Sequence, residues 1–219
     1  MGLRRLTLAF GWVGSMSIAF QVSGQAMERP QRSEGDNWTY AFYEGANLAV
    51  SGNSYFVEWY AVNRILPPET ERGAGYQMFR ITTVERNGEK TKGIFRISPD
   101  LNNYARQNAS SPWREAKWVQ WPLEPGKRWK FEVPVAAGIQ VWEAHVGAWE
   151  EVTVPAGKFK AIRVAYELVT NPDPNVGWQT TVWYSPEVRW FVKKTDFGNY
   201  AEGAPIGRQL RELKSYQLH

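Results

Sequence analysis

Short runs of aromatic and β-branched residues, separated by Gly, Pro and Asn, dominate the chain from residue 36 onward. Such runs are typical of β-strands, because these side chains pack well on a pleated surface. The clearest alternation lies over 159–169, where Ile162, Val164 and Tyr166 share one face. The pattern predicts an all-β, mainly antiparallel protein of about ten strands with little helix.

A sheet of this many strands needs protection for its edges, and curling the sheet provides it. We therefore expect a curved sheet, a half-barrel or an open barrel, formed by a single β domain over 36–219. The stretch 99–117 lacks a clear period and predicts a long loop, which could divide the domain into two lobes. The tail 208–218 fits helical spacing as well, but its place after a series of strands favours a strand.

Turn residues indicate where two pairs of predicted strands are joined. Asn87-Gly88 accepts positive φ at both central positions of a two-residue turn, so it predicts a tight hairpin in which Arg86 faces Glu89. Ser185-Pro186 would join two further strands, because proline cannot donate to a ladder.

The N-terminus has the order of a secretory signal peptide. Arg4 and Arg5 precede an apolar run over 6–20, and the small residues Gly24 and Ala26 follow it. A membrane anchor is the alternative, but the run is shorter than the ~20 apolar residues that span a bilayer. We expect cleavage after Ala26.

The predicted mature chain begins with a polar segment over 27–35, which we interpret as a flexible leader. The absence of Cys excludes a lipid anchor on an N-terminal cysteine, and no later segment has the length of a membrane span. The expected location is the periplasm, and release beyond the outer membrane stays open.

Composition removes several functional classes. With no Cys and two His, the chain offers no disulfide, no thiolate nucleophile and no ligand spacing for a metal, so we predict neither metal nor cofactor. The net charge of +4 falls to +2 when Arg4 and Arg5 leave with the signal peptide. That charge is too small to predict nucleic-acid binding.

No set of catalytic residues is evident. Glu143 and His145 share one face of a predicted strand and could form an acid–base pair, but a cross-strand polar surface explains them as well. Glu143 and Glu150 could be the two carboxylates of a glycan-cleaving enzyme, whose required separation the sequence does not supply. We assign no catalytic residue.

Eleven tryptophans remain after the predicted signal peptide, which is a heavy aromatic load. They could fill a small β core, or some could line a concave face that binds a ligand. Trp113, Trp118 and Trp121 lie in or beside the predicted loop, together with Tyr104 and Arg114. Because ordered loops often carry function, these five residues are the candidate ligand-binding site.

Three fragments of the second half occur in a recognisable order. They are Pro122-Leu123-x-Pro125-Gly126-Lys127-x-Trp129, Val154-Pro155-Ala156-Gly157-Lys158-Phe159 and Trp183-Tyr184-Ser185-Pro186. Together they resemble a family of exported, β-rich Gram-negative proteins of unknown function. The resemblance covers roughly 120–218 and implies a periplasmic curved sheet similar to lipoprotein-carrier folds. It implies no catalytic residues.

The sequence therefore predicts an exported, non-enzymatic protein that binds an apolar or glycan ligand in a curved sheet. One alternative is a structural or assembly protein of the envelope that pairs its strand edges with a protein partner. A glycan-cleaving enzyme is the lesser alternative. The expected partners are a lipid, a glycan or an envelope protein, with no nucleic acid and no membrane span after signal cleavage.

Overall fold

A computed structural model describes residues 24–44, 49–61, 78–86, 89–98, 100, 102–105, 107–108, 110–199 and 207–219. Residues 1–23 of the predicted signal peptide lie outside the described residues. The hairpin residues Asn87 and Gly88 lie outside them as well.

The described residues form twelve β-strands and no helix. In chain order they are β1 (Asn37–Glu44), β2 (Ala49–Ala61), β3 (Met78–Arg86), β4 (Glu89–Ile97), β5 (Asn103–Ala105), β6 (Arg114–Ala116), β7 (Arg128–Val135), β8 (Gly138–Val154), β9 (Gly157–Thr170), β10 (Gly177–Ser185), β11 (Trp190–Asn199) and β12 (Gly207–Gln217). The predicted all-β class is confirmed, and the tail is a strand.

The strands form one antiparallel sheet in the order β6-β5-β4-β3-β2-β1-β12-β11-β10-β9-β8-β7. Strands that are adjacent in the sheet are also consecutive in sequence, except for the pair β1 and β12. This pair places the first and the last strand in the middle of the sheet. Strands β6 and β7 end the sheet and are not hydrogen-bonded to one another in the described structure, so the sheet is not closed into a barrel.

The sheet curls around a core that the described side chains form as one hydrophobic cluster. Buried residues of β1 and of β7 to β12 belong to one hydrophobic cluster, and we call the face that carries them the inner face. Alternation selects this face: along β9, Ile162, Val164 and Tyr166 are buried, whereas Arg163 and Glu167 are exposed. The predicted period is confirmed here.

The predicted pairing of Arg86 with Glu89 is recovered, and a second tight turn joins β8 to β9. Arg86 pairs with Glu89 at the end of the β3–β4 hairpin. Residues Pro155 and Ala156 join β8 to β9, where Gly157 has a φ of 133°, a conformation that favours glycine.

The predicted loop over 99–117 contains two short strands, which corrects the prediction. Strands β5 and β6 form a hairpin in which Tyr104 pairs with Glu115, and a single pair, Ile97 with Asn103, joins β5 to β4. Three-residue strands are too short to show a hydrophobic period, so their pairing has no sequence signature.

The predicted leader lies against the sheet. Met27 is 2% exposed, and its backbone exchanges two hydrogen bonds with Leu123, at 2.8 and 2.9 Å. Arg32 donates from Nε to the carbonyl of Arg189 at 2.7 Å, and its guanidinium lies 4.0 Å from the ring centre of Trp190. These contacts cover one end of the core.

Candidate functional site

A cavity of about 210 Å³ lies within the inner face. Seven of its eleven described lining residues are aromatic or aliphatic: Trp118, Val119, Tyr166, Val182, Tyr184, Trp190 and Phe191. Its polar lining consists of Asn103, Thr180, Lys194 and Arg211. Apolar walls with a few convergent polar groups are the usual composition of a small-molecule site.

Strand register explains why these residues meet. Val182 of β10, Lys194 of β11 and Arg211 of β12 are successive cross-strand partners. Because side chains alternate between faces, these partners share the inner face. These two cross-strand pairings thus place the cations Lys194 and Arg211 in one row with the aliphatic residue Val182.

A β-bulge brings two aromatic rings of one strand into the cavity. The register of β10 with β11 shifts between Trp183 and Tyr184, so that Tyr184 pairs with Phe191. Trp190 and Phe191 are both buried and both line the cavity, although they are adjacent in sequence. A bulge allows this, since the extra residue re-aims the side chains around it.

Trp118 forms the aromatic end of the cavity. Its ring centre lies 4.9 Å from Phe131, 5.0 Å from Trp142 and 5.5 Å from Tyr166, in tilted or edge-on arrangements. Edge contacts of this kind are the favoured geometry for aromatic pairs. The Trp118 ring is therefore held in place rather than free to rotate.

Two phenols meet in the wall. The hydroxyls of Tyr166 and Tyr184 lie 3.4 Å apart. Burial, together with Tyr184, raises the pKa of Tyr166 well above its ordinary value. Tyr166 therefore stays neutral at physiological pH and retains its O–H as a hydrogen-bond donor.

A buried carboxylate lies behind the cationic pair. Asp196 is 5% exposed, accepts a hydrogen bond from Thr180 Oγ1 at 2.6 Å, and forms ion pairs with Lys194 and Arg211. Burial alone would raise the pKa of Asp196, but Lys194, Arg211 and the hydrogen bonds outweigh it and lower that pKa below its ordinary value. The Asp196 side chain is thus a carboxylate that fixes both cations.

Of the five sequence-predicted residues, the structure brings Trp118 into the cavity wall. Trp121 lies near this wall. The centre of its ring is 6.1 Å from that of Tyr184, and its Nε1 donates a hydrogen bond to the carbonyl of Asp100. Whether either residue binds a ligand stays a prediction.

The other three lie outside the wall. Tyr104 belongs to β5, and its pKa is raised by partial burial and by the charges of Glu115 and Asp100. Arg114 is exposed on β6, with Glu132 at 3.9 Å, and Trp113 precedes that strand. Their neighbour Asn103 lines the cavity, and its Oδ1 is buried and accepts no hydrogen bond from any described residue.

The larger part of the cavity wall was not predicted. It comes from β9 to β12, which the sequence indicated only as strands. A usable signal was present on β11. Lys194 and Asp196 lie two and four residues after the buried Val192, so strand alternation places all three on one face. Charged residues on the inner face of a strand indicate either an ion-pair network or a site.

The candidate catalytic carboxylates lie on the opposite, outer face. Glu143 forms ion pairs with Arg128 at 3.7 Å and Lys130 at 3.6 Å, and Arg128 pairs in register with His145. Glu150 lies 3.4 Å from Arg163 and accepts a hydrogen bond from Trp183 Nε1 at 3.0 Å. This arrangement is a cross-strand polar surface.

Within the described ranges, no group of three or more His, Asp or Glu side chains is arranged to hold a metal ion. The same residues contain no helix long and apolar enough to cross a membrane.

Comparison with known proteins yields a fold likeness. No family model matches the chain, and no curated protein matches it. A "putative lipoprotein" of Parabacteroides distasonis superposes with a TM-score of 0.51 at 12% identity, covering 88% of this chain and 100% of that one. A "putative exported protein" with a YmcC-like fold from Bacteroides fragilis gives 0.47 at 15% identity, with the same coverage. At such identities the likeness of the first structure concerns the fold.

Proposed function

We propose that this chain is an exported binding protein whose inner-face cavity takes up a small apolar or amphipathic molecule. The observation that carries the proposal is the cavity itself: about 210 Å³ of space within a curled sheet, whose wall includes five aromatic side chains beside polar groups. Transfer of apolar surface from water into such a wall is favourable by about 25 cal/mol per Å².

The volume of the cavity limits the size of the ligand that it can hold. Pockets that enclose a drug-sized molecule measure roughly 300–1,000 Å³, so 210 Å³ suits a single ring or a short alkyl chain. Trp118 has its ring packed against three other aromatic rings, which leaves less face for stacking on a sugar. The wall therefore favours an apolar moiety over a glycan.

Export has independent support. The N-terminal order of charged, apolar and small residues is that of a signal peptide, and the Parabacteroides protein of similar fold carries the name "putative lipoprotein". We therefore propose a periplasmic location.

A role in envelope assembly through strand pairing has less support. Pairing requires an open edge, and the two end strands lie against one another. Trp129 of β7 donates from Nε1 to the carbonyl of Lys117, just after β6, at 2.8 Å. Arg114 and Glu132 approach to 3.9 Å across the same gap.

Filling the cavity tests the proposal. Val182, 4% exposed, lines the cavity, so Val182→Leu and Val182→Phe should take up progressively more of its space. We expect Val182→Phe to weaken binding of n-octanol, measured by titration calorimetry, by about tenfold, the loss that follows when roughly two buried methylene groups no longer fit.

The adjacent residue supplies the control. Thr181 lies on the outer face, so Thr181→Phe should leave n-octanol binding unchanged. Thermal unfolding of each variant shows that it is folded. An absence of n-octanol binding to the wild-type protein, or equal binding by wild type and both Val182 variants, would refute the proposal.

A further inference from the structure

A buried amide oxygen in the cavity wall receives no hydrogen bond from the described residues. Asn103 lines the cavity, and this oxygen is its Oδ1. The adjacent Asn102 shows the usual arrangement: its Nδ2 donates to Glu115 and to the carbonyl of Val119, and its Oδ1 accepts from the Val119 N–H at 2.6 Å. An unsatisfied buried acceptor is costly, so the Asn103 oxygen indicates a place for a donor that comes from a ligand.

Strand pairing holds Asn103 in this position. Its backbone pairs with Ile97 of β4 on one side and with Ala116 of β6 on the other. Both partners are 1% exposed. Because buried strand residues fix Asn103 from two sides, its amide stays in the wall that an occupant of the cavity contacts.

A second neutral oxygen of the wall can only accept a hydrogen bond. Thr180 Oγ1 donates its hydrogen to the Asp196 carboxylate at 2.6 Å, and a carboxylate has no hydrogen to give in return. A hydroxyl has one hydrogen and two lone pairs. Thr180, which also lines the cavity, therefore presents acceptor capacity there, and it favours the same chemistry as Asn103: a ligand that brings its own donor.

The wall favours a donor without charge. Burying an ammonium group is costly unless a carboxylate pairs with it, and the described lining of the cavity contains no Asp or Glu. A hydroxyl group donates a hydrogen bond while remaining neutral. An alcohol therefore fits this lining better than a protonated amine.

We propose that the cavity selects a small neutral alcohol, whose hydroxyl donates to Asn103 Oδ1 while its hydrocarbon part lies against the aromatic wall. This inference rests on the proposed function and specifies its ligand class. A volume of about 210 Å³ admits a single ring or a short alkyl chain, so the class includes phenols and aliphatic alcohols.

Two isomeric ligands separate the hydroxyl from the chain. n-Octanol and heptyl methyl ether contain the same atoms, but the ether oxygen carries no hydrogen and cannot donate. An apolar wall alone would favour the ether, because the hydroxyl of n-octanol loses its hydrogen bonds with water on burial. With Asn103 as acceptor, calorimetric titration of the wild-type protein should show n-octanol binding about tenfold more tightly than the ether.

A matched pair of asparagine variants locates the effect. Asn103→Leu replaces the amide by an apolar group of similar size, and it should reduce the preference for n-octanol over the ether from about tenfold to about twofold or less. Asn108 is exposed, does not line the cavity, and accepts a hydrogen bond from the Ser110 N–H through Oδ1. Asn108→Leu should retain the wild-type ratio. Thermal unfolding shows that each variant is folded, and the ratio measured on wild type needs no variant.

The outcomes separate this inference from the proposed function. If wild type binds the ether as tightly as n-octanol or more tightly, or if Asn103→Leu keeps the preference for n-octanol, the inference is wrong while a binding cavity remains. If neither ligand binds, both proposals fail. A preference for n-octanol that is lost in Asn103→Leu and kept in Asn108→Leu supports the inference.

Discussion

Replacing Asp196 by alanine is expected to destabilise the protein by about 3 kcal/mol or more, the range seen when one member of a buried ion pair is removed. Asp196 is 5% exposed and is bound to Thr180, Lys194 and Arg211. Without it, Lys194 and Arg211 lose the buried carboxylate with which both form ion pairs, and Thr180 loses its acceptor. Urea unfolding followed by tryptophan fluorescence measures the change.

The same carboxylate predicts a dependence on pH. The pKa of Asp196 is lower in the folded protein than its ordinary value because Lys194, Arg211 and Thr180 outweigh the effect of burial. Its contribution to stability is therefore complete above the unfolded-state pKa of about 3.9 and is lost as the pH falls through the folded-state value. Asp196→Ala should lose less stability than wild type over that interval.

An exposed acid provides the control. Asp100, whose side chain is 63% exposed, forms an ion pair with Arg29 at 3.0 Å. Asp100→Ala should change the free energy of unfolding by no more than about 1 kcal/mol. If Asp196→Ala and Asp100→Ala prove equally stable, the buried carboxylate does not hold the cationic pair as described.

The second large effect is expected at Trp38, in the central strand β1. Its side chain is 0% exposed, its Nε1 donates to the carbonyl of Val188 at 2.7 Å, and its ring lies 6.2 Å from that of Trp190. Trp38→Ala should cost about 3–5 kcal/mol, because it leaves a large cavity and an unsatisfied carbonyl. Trp190 lines the inner-face cavity that we propose binds a ligand, so the loss should also weaken n-octanol binding.

Phe197 is the contrasting aromatic residue, since it is 42% exposed near the end of β11. Phe197→Ala should change the free energy of unfolding by about 0.5 kcal/mol or less. A Trp38→Ala protein as stable as Phe197→Ala would contradict the position of Trp38 in the core. Both are measured by urea unfolding at one pH.

The sheet was predictable because strands carry their signal locally. The alternation of Ile162, Val164 and Tyr166 places them on the inner face, and the Asn87-Gly88 dipeptide gives the pairing of Arg86 with Glu89. Both signals depend on residues close in sequence, which is why they can be interpreted without a structure.

The cavity was less predictable because it depends on pairing between distant strands. The sequence singled out Trp118 from its aromatic neighbours, but Tyr184 and Arg211 join the same wall only through the β9–β12 register. The bulge that turns both Trp190 and Phe191 inward has no local signature. The contacts of Met27 and Arg32 were not predicted either, since a polar, proline-containing segment is typical of a leader.

The most direct test of a binding cavity on the inner face follows the indole N–H signals of the tryptophans. Protein labelled with nitrogen-15 on its tryptophan side chains, with signals assigned by single Trp→Phe variants, is titrated with n-octanol in a two-dimensional NMR experiment. We predict saturable shifts of Trp118 and Trp190, which line the cavity, and none of Trp149 and Trp183, which do not. Shifts confined to Trp149 and Trp183, or no shifts at all, would contradict the proposed site.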